Sequence, residues 1–82
     1  MEKYDGIVNG RVYYTLEIDD DKSMRLKEYY PKKEVTYIPT ISKCGNGTRL
    51  EYSNDKGVFL GSLPFTDYYD GTLVTKFWKK IL

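Results

Sequence analysis

The chain alternates. In residues 11–18, Val12, Tyr14, Leu16 and Ile18 interleave with Arg11, Tyr13, Thr15 and Glu17, a period of two that lines one strand face with apolar groups and sends Tyr13 and Tyr14 to opposite faces. Asn9-Gly10 separates this run from residues 3–8, and both residues tolerate the positive φ of a tight turn, so a first β-hairpin is predicted. Asp19-Asp20-Asp21-Lys22-Ser23 interrupts with short polar side chains. Met24, Leu26 and Tyr30 then resume the apolar phase against Arg25, Lys27 and Tyr29, which predicts a second hairpin. Pro31 lacks an amide donor and drives Tyr30 toward extended backbone, so this strand should end there, with Lys32-Lys33 in the connection.

Residues 34–41 are dense in Val, Thr, Tyr and Ile and predict another strand. Pro39 within it implies an edge strand, a bulge or an early stop. Residues 42–48, with Cys44-Gly45-Asn46-Gly47, read as a loop. Leu50 and Tyr52 then alternate with Arg49, Glu51 and Ser53, and the turn Asn54-Asp55-Lys56-Gly57 leads into the apolar run 58–63, the best-defined hairpin of the second half. Gly61 inside that run implies a bulge or a close backbone approach. At the C-terminus the period changes: Leu73, Val74, Phe77, Trp78, Ile81 and Leu82 fill one half of a helical wheel, and Thr75, Lys76, Lys79 and Lys80 the other. A short amphipathic helix is predicted, capped by Asp70 or Thr72, with Lys79 and Lys80 near its negative end. A final strand is the competing assignment, because Thr72, Val74, Thr75, Phe77 and Trp78 favour sheets. The whole describes a mainly β fold: a small curled sheet or partly open barrel, SH3-like or OB-like, of five or six strands with a short C-terminal helix.

Length and composition confine this to a single domain, residues 1–82, since 82 residues hold one core. The chain is 40% hydrophobic and 30% charged, which is neither a disordered tail nor a membrane span. A formal charge of +1 gives little long-range pull on nucleic acid. One cysteine, Cys44, and no apolar leader after Met1 lead us to expect a reducing, cytoplasmic setting. Asn46-Gly47-Thr48 matches the glycosylation pattern but reads as a turn.

Nine tyrosines and no histidine sharpen the functional expectation. Constellations that depend on imidazole are absent, while tyrosine supplies apolar rings with polar tips suited to contact surfaces. Cys44 lies among glycines but has no identifiable base. Asp19–Asp21 lack the spacing of a calcium loop, and Gly45-Asn46-Gly47 precedes a strand rather than the helix a phosphate loop feeds. The expectation is therefore a protein that is not an enzyme and carries no cofactor and no metal.

Two surface clusters stand out. Tyr68 and Tyr69 with Lys76, Lys79 and Lys80 form the first, beside Phe77 and Trp78, which either join the patch or close the core. It suits docking on a protein partner. The second comprises Arg25, Lys27, Tyr29, Tyr30, Lys32 and Lys33, cations with stacking rings that would follow single-stranded nucleic acid if they were not simply a solvated strand face. The leading expectation is a small cytoplasmic accessory or inhibitor protein that docks through aromatic side chains. A nucleic-acid-binding module is the alternative, and a subunit that self-associates through an unpaired strand is the third.

Finally, Glu34-Val35-Thr36-Tyr37-Ile38-Pro39 followed by residues 48–64, ending Gly61-Ser62-Leu63-Pro64, resembles the HIRAN family of small β-barrels over the middle third of the chain. Residues 42–47 stand where that family carries an Asn-Pro loop and an Asp-x-x-Ala pattern. The resemblance implies a β-barrel with an appended helix and recognition of DNA ends.

Overall fold

A computed structural model describes residues 1–30, 33–45, 47–67 and 77–82, with the backbone alone at 44, 66 and 67. The described residues form eight strands: β1 (Glu2–Val8), β2 (Arg11–Ile18), β3 (Met24–Glu28), β4 (Val35–Tyr37), β5 (Thr40–Cys44), β6 (Gly47–Ser53), β7 (Phe59–Asp67) and β8 (Trp78–Lys80). They make two antiparallel sheets, one of five strands in the order β4-β3-β2-β1-β8 and one of three in the order β5-β6-β7. The fold is mainly β, as the alternation predicts, but eight described strands in two sheets that do not close stand where five or six strands in a curled sheet or partly open barrel were expected.

The Asn9-Gly10 hairpin forms with both residues at positive φ, 51° and 78°. That turn alone would set Lys3 opposite Leu16, a polar residue against a core one. Pairing instead shifts by one residue between Gly6 and Ile7, leaving Tyr13 as the extra residue of β2. The bulge restores agreement between the phases, with Tyr4 opposite Leu16 and Lys3 opposite Glu17. It also corrects the core: Val12, expected in the apolar row, lies beyond the bulge and is exposed.

The run 34–41 does not act as one strand. It divides at Ile38-Pro39, where the chain leaves the partner of β3 and becomes the partner of β6. Buried Pro39 marks the crossing, a position that asks for no ladder hydrogen bond. The loop expected over 42–48 is likewise corrected, because residues up to Cys44 pair with β6, Cys44 opposite Gly47. The β6–β7 hairpin lies where predicted. Its turn is held by Asn54, whose side-chain oxygen accepts from the amides of Lys56 and Val58 at 2.9 Å each. Beside Gly61 the register shifts, as a bulge requires, but what approaches is a side chain rather than a backbone: the Tyr52 hydroxyl lies 3.0 Å from where a Cβ would stand.

Among the described residues there is no helix, so the C-terminal helix is corrected where it can be seen. Trp78–Lys80 is a strand on the free edge of β1, and the remainder of the predicted helix, residues 73–76, lies outside the described residues. Pairing answers β1's open amides: Ile7 N–H donates to the Phe77 carbonyl at 3.0 Å and Lys3 N–H to that of Leu82 at 2.7 Å. A helix packed there would have left that edge unsatisfied. Trp78, one of the residues that favoured the strand reading, opens that strand.

The core is shared. Leu16, Leu26 and Trp78 from the larger sheet meet Leu50, Tyr52 and Leu63 from the smaller, and Tyr4, Tyr14, Tyr37, Phe65 and Phe77 pack around them. Trp78 thus closes the core, and its indole N–H donates to the Pro64 carbonyl of the other sheet. Its ring stands edge-on to Phe77, centroids 4.9 Å apart. Gly6 makes room for both: a Cβ there would lie 2.8 Å from the Phe77 ring and 3.1 Å from that of Trp78. A second bridge between sheets is polar. Tyr37 and Tyr52 donate to the Glu28 carboxylate at 3.1 and 3.2 Å, and burial foremost pushes both phenols above their ordinary range.

Candidate functional site

The outer face of the five-stranded sheet is a mosaic of charges fixed by register. Arg25, Glu17 and Lys3 align across β3, β2 and β1. One row along, Thr36, Lys27, Thr15, Asp5 and Lys79 align across all five strands. Between these rows runs a groove of about 670 Å³ lined by Lys3, Asp5, Thr15, Glu17, Lys27 and Tyr29, with Val12, Tyr30 and Ile81 as apolar walls.

Its floor is buried and polar. Glu17, 6% exposed, meets three cations: Arg25 Nε donates to Oε1 at 3.1 Å, while Lys3 Nζ and Lys27 Nζ approach Oε2 at 3.4 and 3.7 Å. Burial alone would raise this carboxyl, but hydrogen bonds from Arg25 and Lys3 and the charge of Lys27 outweigh it and hold Glu17 below its ordinary value. Thr15, 8% exposed, donates its one hydroxyl proton to Asp5 at 3.1 Å. Its 2.9 Å contact with the Tyr29 hydroxyl must therefore be a donation from Tyr29. The result is a directed chain from Tyr29 through Thr15 to Asp5 that leaves the Tyr29 oxygen able to accept.

The cluster expected to follow nucleic acid is only partly assembled here. Arg25, Lys27, Tyr29 and Tyr30 do share this region, but each has a prior engagement. The Arg25 guanidinium grips Asp19 through both terminal nitrogens, at 2.7 and 3.3 Å, besides meeting Glu17. That contact holds the Asp19 carboxyl low and the guanidinium firmly charged. Lys27 is also 3.9 Å from Glu34, and Tyr30 stacks on Tyr13, centroids 4.8 Å apart, with Arg11 5.8 Å from its ring. Lys33 is exposed in the connection to β4, while Lys32 lies outside the described residues.

Of the cluster expected to meet a protein, Tyr68, Tyr69 and Lys76 lie outside the described residues. Lys79 and Lys80 are exposed on β8, where Lys80 Nζ is 3.7 Å from Glu2. In the acidic turn, Asp19 is engaged by Arg25, and Asp21 accepts from the Ser23 hydroxyl at 2.7 Å. Among the described residues, no three His, Cys, Asp or Glu groups converge to hold a metal, and no helix is long and apolar enough to cross a membrane.

Two features escaped the sequence reading. One is the floor of Lys3, Asp5, Thr15 and Glu17, whose residues were visible as the polar phase of adjacent strands but whose alignment waits on the bulge. The other is Val58-Phe59-Leu60, three consecutive apolar residues exposed by 56, 58 and 45% at the start of β7. Leu60 is the extra residue where the register shifts between Tyr52 and Ser53, which lets the neighbours Phe59 and Leu60 both stay open, and Val58 precedes the strand. No protein-family model matches the chain, and neither the curated proteins nor the solved structures contain a match to it.

Proposed function

We propose that this protein is a non-catalytic binding module that docks on a larger protein, and that the leading end of β7 is its principal contact. The carrying observation is the exposure of Val58, Phe59 and Leu60 together on what is, among the described residues, an edge strand. Contiguous apolar surface on a small domain marks an interaction site, and an open strand edge adds backbone groups for pairing. Lys79 and Lys80, joined by sequence to Tyr68, Tyr69 and Lys76, form the second contact set. A cytoplasmic accessory or inhibitor role fits these features. The mosaic on the larger sheet counts against phosphate recognition, because its cations are already matched by carboxylates and would release few counterions from a polyanion.

The test is affinity capture from host lysate, with and without nuclease, by the wild type, a Phe59→Ser variant and a Lys79→Glu/Lys80→Glu variant. Retention of one partner protein after nuclease treatment, and its loss with Phe59→Ser, is the expected result. Direct binding of an oligonucleotide that weakens steeply with salt and persists in Phe59→Ser would instead support the nucleic-acid reading, including the DNA-end recognition that the HIRAN resemblance implies.

A further inference from the structure

The geometry points to a second, independent site: the groove on the outer face of the five-stranded sheet binds a neutral, polyhydroxylated ligand, a short saccharide. None of its residues lies in β7, so it stands or falls apart from the protein-docking surface. Its volume, about 670 Å³, is within the usual range of small-molecule sites. Its floor is built before any ligand arrives, since Thr15 and Glu17 are both more than nine-tenths buried with their polar atoms engaged.

The charge balance selects the ligand class. The lining holds two lysines and two carboxylates, and the lysines converge on one oxygen of Glu17. An anion would gain from the lysines while approaching Asp5 and Glu17, and a cation would meet the reverse. Either must compete with ion pairs already made. A hydroxyl need not, because it donates and accepts at once.

The groove has spare capacity of both kinds. Among the described residues, the Lys3 ammonium has one ion-pair partner for its three donors, Asp5 accepts from Thr15 alone, and the Tyr29 oxygen has given its proton inward. Vicinal hydroxyls can take a donor from Lys3 or Lys27 and offer protons to Asp5 and Tyr29, and hydrogen bonds to charged groups are the stronger kind. Tyr30, 41% exposed and braced by Tyr13, stands with Val12 and Ile81 as apolar wall for the C–H face of a sugar ring.

The experiment is an amide NMR titration of the full chain with maltotriose, cellotriose and chitotriose, and with a heparin tetrasaccharide and an oligothymidylate as anionic probes. At least one neutral trisaccharide should shift the amides of Thr15, Lys27 and Tyr29 at millimolar concentration. Asp5→Asn and Tyr29→Phe, which keep the size of each side chain, should each weaken that binding about tenfold. Amide spectra of the two variants check that the fold is retained, and Asp5→Asn still accepts from Thr15. The inference is overturned if no neutral saccharide moves these signals, if only the anionic probes do, or if both folded variants bind as the wild type does.

Discussion

The two sheets treat their outward surfaces in opposite ways. The five-stranded sheet covers its outer face with paired charges, so that even the buried Glu17 is answered by three cations. The three-stranded sheet leaves Val58, Phe59 and Leu60 open at the end of its last strand. Each supplies three of the six buried core residues, while most of the partly buried hydrophobics packed around them come from the larger sheet. The contrast is between one surface whose charges answer one another within the chain and another whose apolar side chains lie open side by side.

The largest predicted effect tests whether the sheets can be compared as parts of one unit. Leu16 and Leu50 are both fully buried, one from each sheet. Alanine at either should cost about 2–5 kcal/mol in urea unfolding, with hydrogen exchange accelerated in both sheets. If Leu50→Ala left β1–β3 protected, the sheets would be separate folding units.

Next is the seam. Gly6→Ala would place a methyl 2.8 Å from the Phe77 ring. It should lower stability by about 1–3 kcal/mol, with exchange rising first at the amides of Lys3 and Ile7, which donate to Leu82 and Phe77 on either side of β8. An unchanged melting temperature would mean that β8 docks without the space Gly6 leaves.

The charged face should reveal itself in acid. Because the folded state lowers the Glu17 pKa below its ordinary 4.5, its contribution is present above that value and fades as pH falls below it. Asp19 and Glu2 are lowered as well, so Glu17→Gln should flatten the acid limb of a stability-versus-pH curve without abolishing it. An acid limb identical to that of the wild type would remove Glu17 from the account. At the other extreme, Tyr4, pushed up to about 12 foremost by burial and then by its hydrogen bond to Glu2, together with Tyr37 and Tyr52, stabilises the fold below pH 10 and less as pH rises beyond it.

The smallest effect belongs to the open surface. Phe59→Ser should change stability by no more than about 0.5 kcal/mol, as measured by chemical denaturation, because the ring rests mostly in solvent. A larger loss would show that Phe59 serves the fold and would weaken its role in docking.

Much of the local structure was legible in the chain. Asn9-Gly10, the alternation in 11–18 and the Asn54–Gly57 turn each carry their cause within a few residues, and the hairpins follow. The bulge at Tyr13 was legible only as a conflict, since the turn set Lys3 against Leu16. Which residue would be extra was not written locally. Pro39 announced an interruption, but that the chain changes sheets there depends on where β6 and β7 lie. The tail was misread because its wheel was sound in isolation, while the edge of β1 that captured it is at the other end of the sequence. The groove was hidden for the same reason. Its charges were each apparent, and only the paired register brought them under one surface.

Trp78 gives the molecule an optical reporter of its own. It is the sole tryptophan, 3% exposed, and its indole N–H is tied to the Pro64 carbonyl across the interface between sheets. Its emission therefore samples one place. Parting of the sheets would admit water and shift the emission to longer wavelength, whereas a ligand settling on the outer mosaic, with no tryptophan beneath it, should pass almost unseen. Unlabelled protein can thus tell opening of the interior from occupancy of the surface in a cuvette.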